Sequence, residues 1–411
     1  MVIIISYNKD DDLAFNYEGE IMTESRKRDF LWLILFIIIF INGFEAGGYQ
    51  ASLWNIGQTY DLSKTSMGLF ASVELFATML APLILGSWAD HSNKLRCIVI
   101  LLFIQLVAAL FVLLTTHDIF FIGGIFFLGL TTSALQFISI AALADAYPIS
   151  NKKKIGFMTS MYAAGALVSP LIVKLYLRMG FSWRMLFAIL ALSSGAALVG
   201  IFGSGGESRE EKPQEAADSS TKGNFVVTAI LCLCVIMCIY VGFENGFTFF
   251  VDTMFTDTLQ SEKGKFALSL FWAVMIPARM LVGHFSKYAK KILLVSLVAI
   301  PAFTFVFSSM QNSTTAMLVC IPMGMASGAI YPCVLTIMLN FSGKRTATST
   351  GMITTATGIG GVVFTALTGY MSDQYGMRSA IAVLGGFFVI SLLSLLGVHV
   401  LSRKQGKGLF K

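Results

Sequence analysis

The chain has 411 residues, of which 56% are apolar and only 13% charged, whereas soluble domains carry roughly a quarter charged residues. That balance excludes an ordinary soluble fold. With about 20 apolar residues needed per helix to cross a hydrocarbon core about 30 Å thick, the length holds about twelve spans and short loops. The formal charge of +6 is then a matter of topology, not of an acidic partner.

Residues 1–29 read as a cytosolic tail, acidic at Asp10 to Asp12 and basic at Arg26 to Arg28. No small-residue cleavage site follows the first apolar run, so that run is expected to stay as an anchor. Nothing before Glu24 adds to a span, which makes Met1 and Met22 both compatible starts. Apolar runs set against polar breaks predict spans at 30–57, 66–88, 97–115, 119–143, 155–176, 185–202, 225–250, 266–284, 292–309, 316–339, 350–370 and 380–401. The fold class is therefore all-α, a polytopic membrane protein with twelve transmembrane helices. A segment at 203–224, rich in Gly, Ser, Glu and Lys, splits them into a six-helix bundle over 30–202 and another over 225–401. It reads as a flexible cytosolic linker, and 402–411 as a cytosolic tail.

With the N-terminus cytosolic, 21 of the 29 Lys and Arg fall on inside segments, the positive-inside pattern expected in a cell membrane. Each basic cluster, such as Lys152 to Lys154 or Lys344 with Arg345, is a short loop or tail beside a span, so nucleic acid is not an expected partner. All six cysteines lie in apolar runs, where thiols behave as small hydrophobes.

The halves repeat one another. Gly43-Phe44-Glu45-Ala46-Gly47 of the first span returns as Gly242-Phe243-Glu244-Asn245-Gly246 of the seventh, displaced by 199 positions. Gly156 and Gly165 match Gly351 and Gly360 at 195, and Gly180 before Trp183-Arg184 has a counterpart in Gly376 before Arg378. Several matches at nearly one displacement point to a duplicated six-span unit. Six is even, so the copies share one orientation, as parallel repeats related by an axis along the membrane normal do.

The inner end of the second span reads Gly86-Ser87-Trp88-Ala89-Asp90-His91-Ser92-Asn93-Lys94-Leu95-Arg96. This resembles the loop signature of the major facilitator superfamily, departing from it at His91 and Asn93; its second copy, from Gly283 to Lys287, lacks the Asp. The resemblance implies a gating loop of Gly86, Asp90, Lys94 and Arg96, with Asp90 making a contact in the inward-closed state that is lost on opening. The spacing of Gly324, Gly328 and Pro332, and the stretch Gly358-Ile359-Gly360-Gly361, are similar to sugar:proton symporters of the fucose-permease type. Those porters carry acids on the first and fourth spans; the fourth span here offers Gln136 instead.

An ionisable residue inside a span costs about 3 kcal/mol on insertion scales, and so usually faces a cavity. Four stand out: Glu45, Glu74, Glu244 and Arg279. Low dielectric favours the neutral form of a carboxylic acid, so Glu45 or Glu244 can take up a proton on one side and release it on the other; the alternative is a purely structural hydrogen bond to a neighbouring helix. Glu74 is either a second cavity acid or such a structural bond. Arg279 can clamp an anionic or hydroxyl-rich solute, or pair with an acid in an inner gate. Tyr49, one turn from Glu45, and Tyr331, beside Pro332, join Gln136 as candidate site liners. Trp54 and Trp272, toward outer ends, read as interface anchors.

The expected partners are a small-molecule substrate, a proton or other coupling ion, and the lipid bilayer, around a monomer. No P-loop pattern occurs and no cofactor is expected. The reading is a secondary active transporter of a small polar organic solute, sugar-like as a first expectation, working by alternating access of two rocking halves and coupled to protons, since the spans offer acids that such coupling needs. Efflux of amphipathic drugs or metabolites, or a membrane sensor without transport, are the alternatives. A membrane enzyme fits poorly, because the four histidines sit on separate segments with no catalytic pattern around them.

Overall fold

Described in a computed structural model are residues 9–146, 151–203, 225–343 and 345–404. The linker, the C-terminal tail beyond 404, Lys344, and the side chains of Asp90 and of Lys152 to Lys154 lie outside the described residues. The first half comprises α1 (Lys9–Thr59), α2 (Lys64–His91), α3 (Lys94–Leu114), α4 (Asp118–Ala146), α5 (Asn151–Arg178) and α6 (Met185–Gly203). The second comprises α7 (Val227–Thr253), α8 (Gly264–His284), α9 (Ala289–Ser309), α10 (Ser313–Ser342), α11 (Thr346–Tyr375), α12 (Met377–Gly386) and α13 (Phe388–Lys404). Among the described residues, twelve segments are long and apolar enough to cross a membrane, and α12 with α13 forms the last of them.

Two spans differ from the sequence expectation. The seventh runs past 250 through Thr253 into a π-helical turn, Met254–Thr258. Its polar residues look like a span end, but Asp252 is neutralised by Lys265 at 2.5 Å and Asp257 accepts from Trp54 at 2.7 Å, so both are satisfied inside the protein. The twelfth is interrupted at Phe387, directly after Gly385-Gly386, a pair that lets a helix bend where α12 lies close to Thr304 of α9.

The duplication is visible in packing. α1 lies against α5 as α7 lies against α11, and α4 contacts α2 and α3 as α10 contacts α8 and α9. Both α1–α5 and α7–α11 crossings need glycine: a methyl group on Gly165 would collide with backbone at Phe40 and Phe44, and one on Gly360 with backbone at Cys238. Gly180 and Gly376 both adopt positive φ, +85° and +81°, turning the chain so that the following arginine reaches back. Arg184 donates to Leu113 O and Thr115 O at the end of α3; Arg378 donates to Ser308 O and Met310 O at the end of α9. One helix-capping device is thus used twice.

The halves meet along α2–α11 and α5–α8, with a smaller contact between α1 and α7. Asn312, which opens the sequon Asn312-Ser313-Thr314, caps α10 by accepting from the backbone of Thr314 and Thr315.

Candidate functional site

A cavity of about 610 Å³ lies between the halves. On the first-half side its wall includes Ala46 and Gln50 of α1, Glu74 and Thr78 of α2, Gln136 of α4 and Tyr162 of α5. On the other side stand Glu244, Asn245 and Phe249 of α7, Trp272 and Arg279 of α8, and Tyr331 of α10. Of the residues singled out by sequence, Glu74, Gln136, Glu244, Arg279 and Tyr331 therefore share one cavity.

Glu45 and Tyr49 are fully buried but do not belong to the wall. They share a helix face, four residues apart, and the neighbouring face carrying Ala46 and Gln50 is the one turned to the cavity. Glu45 sits instead at the end of an uncharged relay inside the first half. Ser194 of α6 donates to Gln105 of α3 at 3.0 Å, Gln105 donates to Thr132 of α4 at 3.2 Å and to Asn42 of α1 at 3.4 Å, and Thr132 donates to Glu45 Oε2 at 3.4 Å. Glu45 Oε1 and Glu74 Oε2 are buried with no hydrogen-bond partner.

The acid of the second copy is placed differently. Glu244 Oε1 lies 3.8 Å from Arg279 Nη2, with the buried Tyr240 beside both. The arginine side chain keeps 38% of its surface accessible, and since it lines the cavity, that surface is available to a solute. Tyr162 has Glu45, Glu74, Glu244 and Arg279 all within electrostatic reach, so one hydroxyl-bearing ring stands among four ionisable groups.

Sequence reasoning missed Gln50, Tyr162 and Asn245. Asn245 is the variable residue of the repeated Gly-Phe-Glu-x-Gly pattern, which was a usable signal; Tyr162 carried none. The two tryptophans read as interface anchors are instead cross-half contacts: Trp272 donates to Gln50 at 3.3 Å, and Trp54 donates to Asp257 at 2.7 Å. Each indole N–H finds an acceptor in the other half, buried Gln50 for Trp272 and half-buried Asp257 for Trp54.

The cavity is closed toward the face opposite the linker. There Asp373, at the end of α11, accepts from the backbone of Lys64 at 3.1 Å, from the backbone of Thr65 at 2.7 Å, and from the Thr65 hydroxyl. It thereby caps α2 of the other half. Lys64 also pairs with Asp257 at 3.4 Å. α2 and α11 touch at Gly68 and Gly369, yet nearer the linker face a methyl group on Gly86 or Gly351 would meet nothing within 4 Å. Gly86, Lys94 and Arg96, which the sequence resemblance assigns to a gating loop, lie at that end, where Asn93 caps α3 by accepting from Leu95 and Arg96.

Among relatives of known name, the chain is 22% identical over 350 residues to the glucose/mannose transporter GlcP of Bacillus subtilis (strain 168), covering 80% of this chain and 83% of that protein. It is also 22% identical over 363 residues to multidrug resistance protein 2 of the same organism, covering 84% and 89%. A solved structure of a bacterial homolog to the human lysosomal transporter Spinster, inward-facing and unoccupied, superposes with a TM-score of 0.77 at 15% identity over 90% of this chain and 97% of that one. The Major Facilitator Superfamily profile matches residues 35–365. This multi-pass membrane protein is a transporter and belongs to the major facilitator superfamily.

Proposed function

We propose that the protein carries a small polar, hydroxyl-rich organic solute, sugar-like in its chemistry, by proton-coupled alternating access. The observation that carries this reading is the cavity between the halves, where one Glu–Arg pair stands among amides, hydroxyls and aromatic faces. Arg279 donates to solute oxygens and Glu244 accepts from solute hydroxyls. Gln50, Gln136 and Asn245 add neutral donors and acceptors, while Trp272, Tyr331 and Phe249 supply surfaces on which a sugar ring stacks. The similarity to a glucose/mannose transporter supports the same class.

Glu45 and Glu74 are the proton carriers in this reading. Both are buried in the first half, and each keeps an oxygen without a hydrogen-bond partner. A carboxyl group in such a place costs least when protonated, so its loading and release follow which face the cavity opens to. The linker and both termini lie in the cytosol, as the distribution of basic residues implies. The present state is then inward-facing, held by the Asp373 cap on α2; Asp90, in the loop with Lys94 and Arg96, takes over at the inner face when the transporter turns outward. The cavity is complete within one chain, in keeping with a functional monomer.

The test is uptake into liposomes under an imposed proton gradient, with labelled sugars, nucleosides, organic anions and cationic dyes. Gradient-driven uptake of hydroxyl-rich solutes is expected. Flux confined to amphipathic dyes would favour the efflux reading, which the similarity to multidrug resistance protein 2 supports. Absence of flux for every class would contradict both.

A further inference from the structure

A second concavity, separate from the central one, lies on the α5–α8 seam and has a volume of about 790 Å³. Its wall comes from both halves. Nearest the closed face it carries Arg178, Lys174 and Lys263. Deeper along α8 comes Ser269, about six residues and thus about 9 Å beyond Lys263. Deepest are Leu167, Leu270 and Ala273. Leu167 stands eleven residues from Arg178, about 16 Å further toward the midplane. The neighbouring surface of α5 and α8 exposes Leu171, Leu175 and Phe266, so the mouth of the groove faces hydrocarbon.

We infer that this groove binds one anionic glycerophospholipid of the leaflet at the closed face, headgroup phosphate on Arg178 and Lys263, an ester carbonyl at Ser269, and an acyl chain along Leu167, Leu270 and Ala273. Charge, hydroxyl and apolar surface follow one another with depth in the order that such a lipid presents them. Three cations meet a single carboxylate, Glu262, which pairs with Arg178 at 3.2 Å and whose backbone oxygen accepts from Lys174. Lys263 donates to Thr314. The nearby Lys265 is already neutralised by Asp252. The remaining excess of two positive charges suits a phosphate diester, and basic pockets between spans are where anionic headgroups settle. Arg178 and Glu262 are well exposed, with 63% and 81% of their side-chain surfaces accessible, so a phosphate can replace or join that weak pair.

The independent sign of a ligand is Ser269. It is 96% buried by its 4% exposure, lines the groove, and its hydroxyl has no hydrogen-bond partner. A buried hydroxyl without an acceptor costs free energy that a lipid carbonyl would recover. Because α5 and α8 belong to different halves, a lipid seated here bridges them and favours the state in which this face is closed.

The experiment is native mass spectrometry of the full-length protein, delipidated and then titrated with phosphatidylglycerol or phosphatidylcholine. Wild type is expected to hold one phosphatidylglycerol in preference to phosphatidylcholine. Replacing both cations, Arg178→Gln with Lys263→Gln, should weaken that binding roughly thirtyfold, at about one basic contact's worth each. Ala273→Trp, which fills the chain end of the groove and leaves every charge in place, should weaken it as well. Equal binding of the two lipids, unchanged binding in both variants, or displacement by glycerol 3-phosphate, which has the headgroup charge and no tail, would each overturn the assignment.

Discussion

Glu45 and Glu244 occupy one place in two copies of the same pattern, on helices that pack alike, yet their surroundings have diverged. At the displacement that aligns them, Asn42 of the polar relay corresponds to Val241, and Gln50 of the cavity wall to Phe249. At the displacement that aligns Gly86 with Gly283, Arg279 corresponds to Pro82 and Glu74 to Phe271. The first half thus holds two acids and an uncharged relay; the second holds one acid beside its cation. Duplication supplied a frame in which two helices bring a carboxyl group toward the seam. Substitution around each then left one acid in an uncharged, buried setting and the other beside a cation at the cavity, the difference on which the proposed split between proton and solute rests.

The largest effect expected from perturbing this comparison is on the shared frame. Gly165→Val and Gly360→Val drive a side chain into backbone at matching crossings, and overpacking of this kind costs about 1–3 kcal/mol or more. Both should fail to give monodisperse protein on size-exclusion chromatography to a similar degree; tolerance of one alone would show that the halves do not rely equally on the crossing. Next comes Arg279→Gln, which removes a charged donor from the second half only. Solute affinity, read by binding to purified protein, should fall about 10- to 100-fold, and Arg279→Lys should recover part of it.

A smaller effect is expected at the cap between halves. Asp373→Ala removes every acceptor for Lys64 and Thr65 backbone and hydroxyl donors, which at about 1 kcal/mol should shift the balance of states about fivefold toward opening of that face. Spin-label distances between the ends of α2 and α11 would report the shift, and an unchanged distribution would show the cap to be idle. Smallest is Thr132→Val, which deletes a hydroxyl that donates to Glu45 while keeping the side chain's volume at the cavity wall that Thr132 helps to form, and leaves the Glu244–Arg279 pair in place. It should move the pH at which gradient-driven uptake is half-maximal while leaving solute affinity within about twofold.

How much of this was legible in the sequence depends on what each feature costs. Twelve spans could be read because every one must present a long apolar run to lipid. The repeat could be read because glycine at a helix crossing and arginine at a helix end have few substitutes. Glu74, Glu244 and Arg279 stood out because a charge within a span is expensive. The facing of α1 was not legible: successive residues turn by about 100°, so Ala46 and Gln50 reach the cavity while Glu45 and Tyr49 do not, and nothing in the pattern fixed that rotation. Trp54, Trp272 and Tyr162 were hidden among many aromatics whose ordinary place is the lipid boundary. The true end of the seventh span was obscured because its partners, Lys265 and Trp54, come from other helices.

The division of labour between the two glutamates is tested most directly by comparing two fluxes in the same liposomes: solute exchange with no gradient, and accumulation driven by a proton gradient. Glu45→Gln should retain exchange and lose accumulation, because solute contacts survive while Glu74 alone is left of the two carboxyl groups that the proton needs. Glu244→Gln should lose both. If Glu45→Gln abolished exchange too, or still accumulated solute, the first-half glutamate would not be the proton carrier and the assignment made here would be wrong.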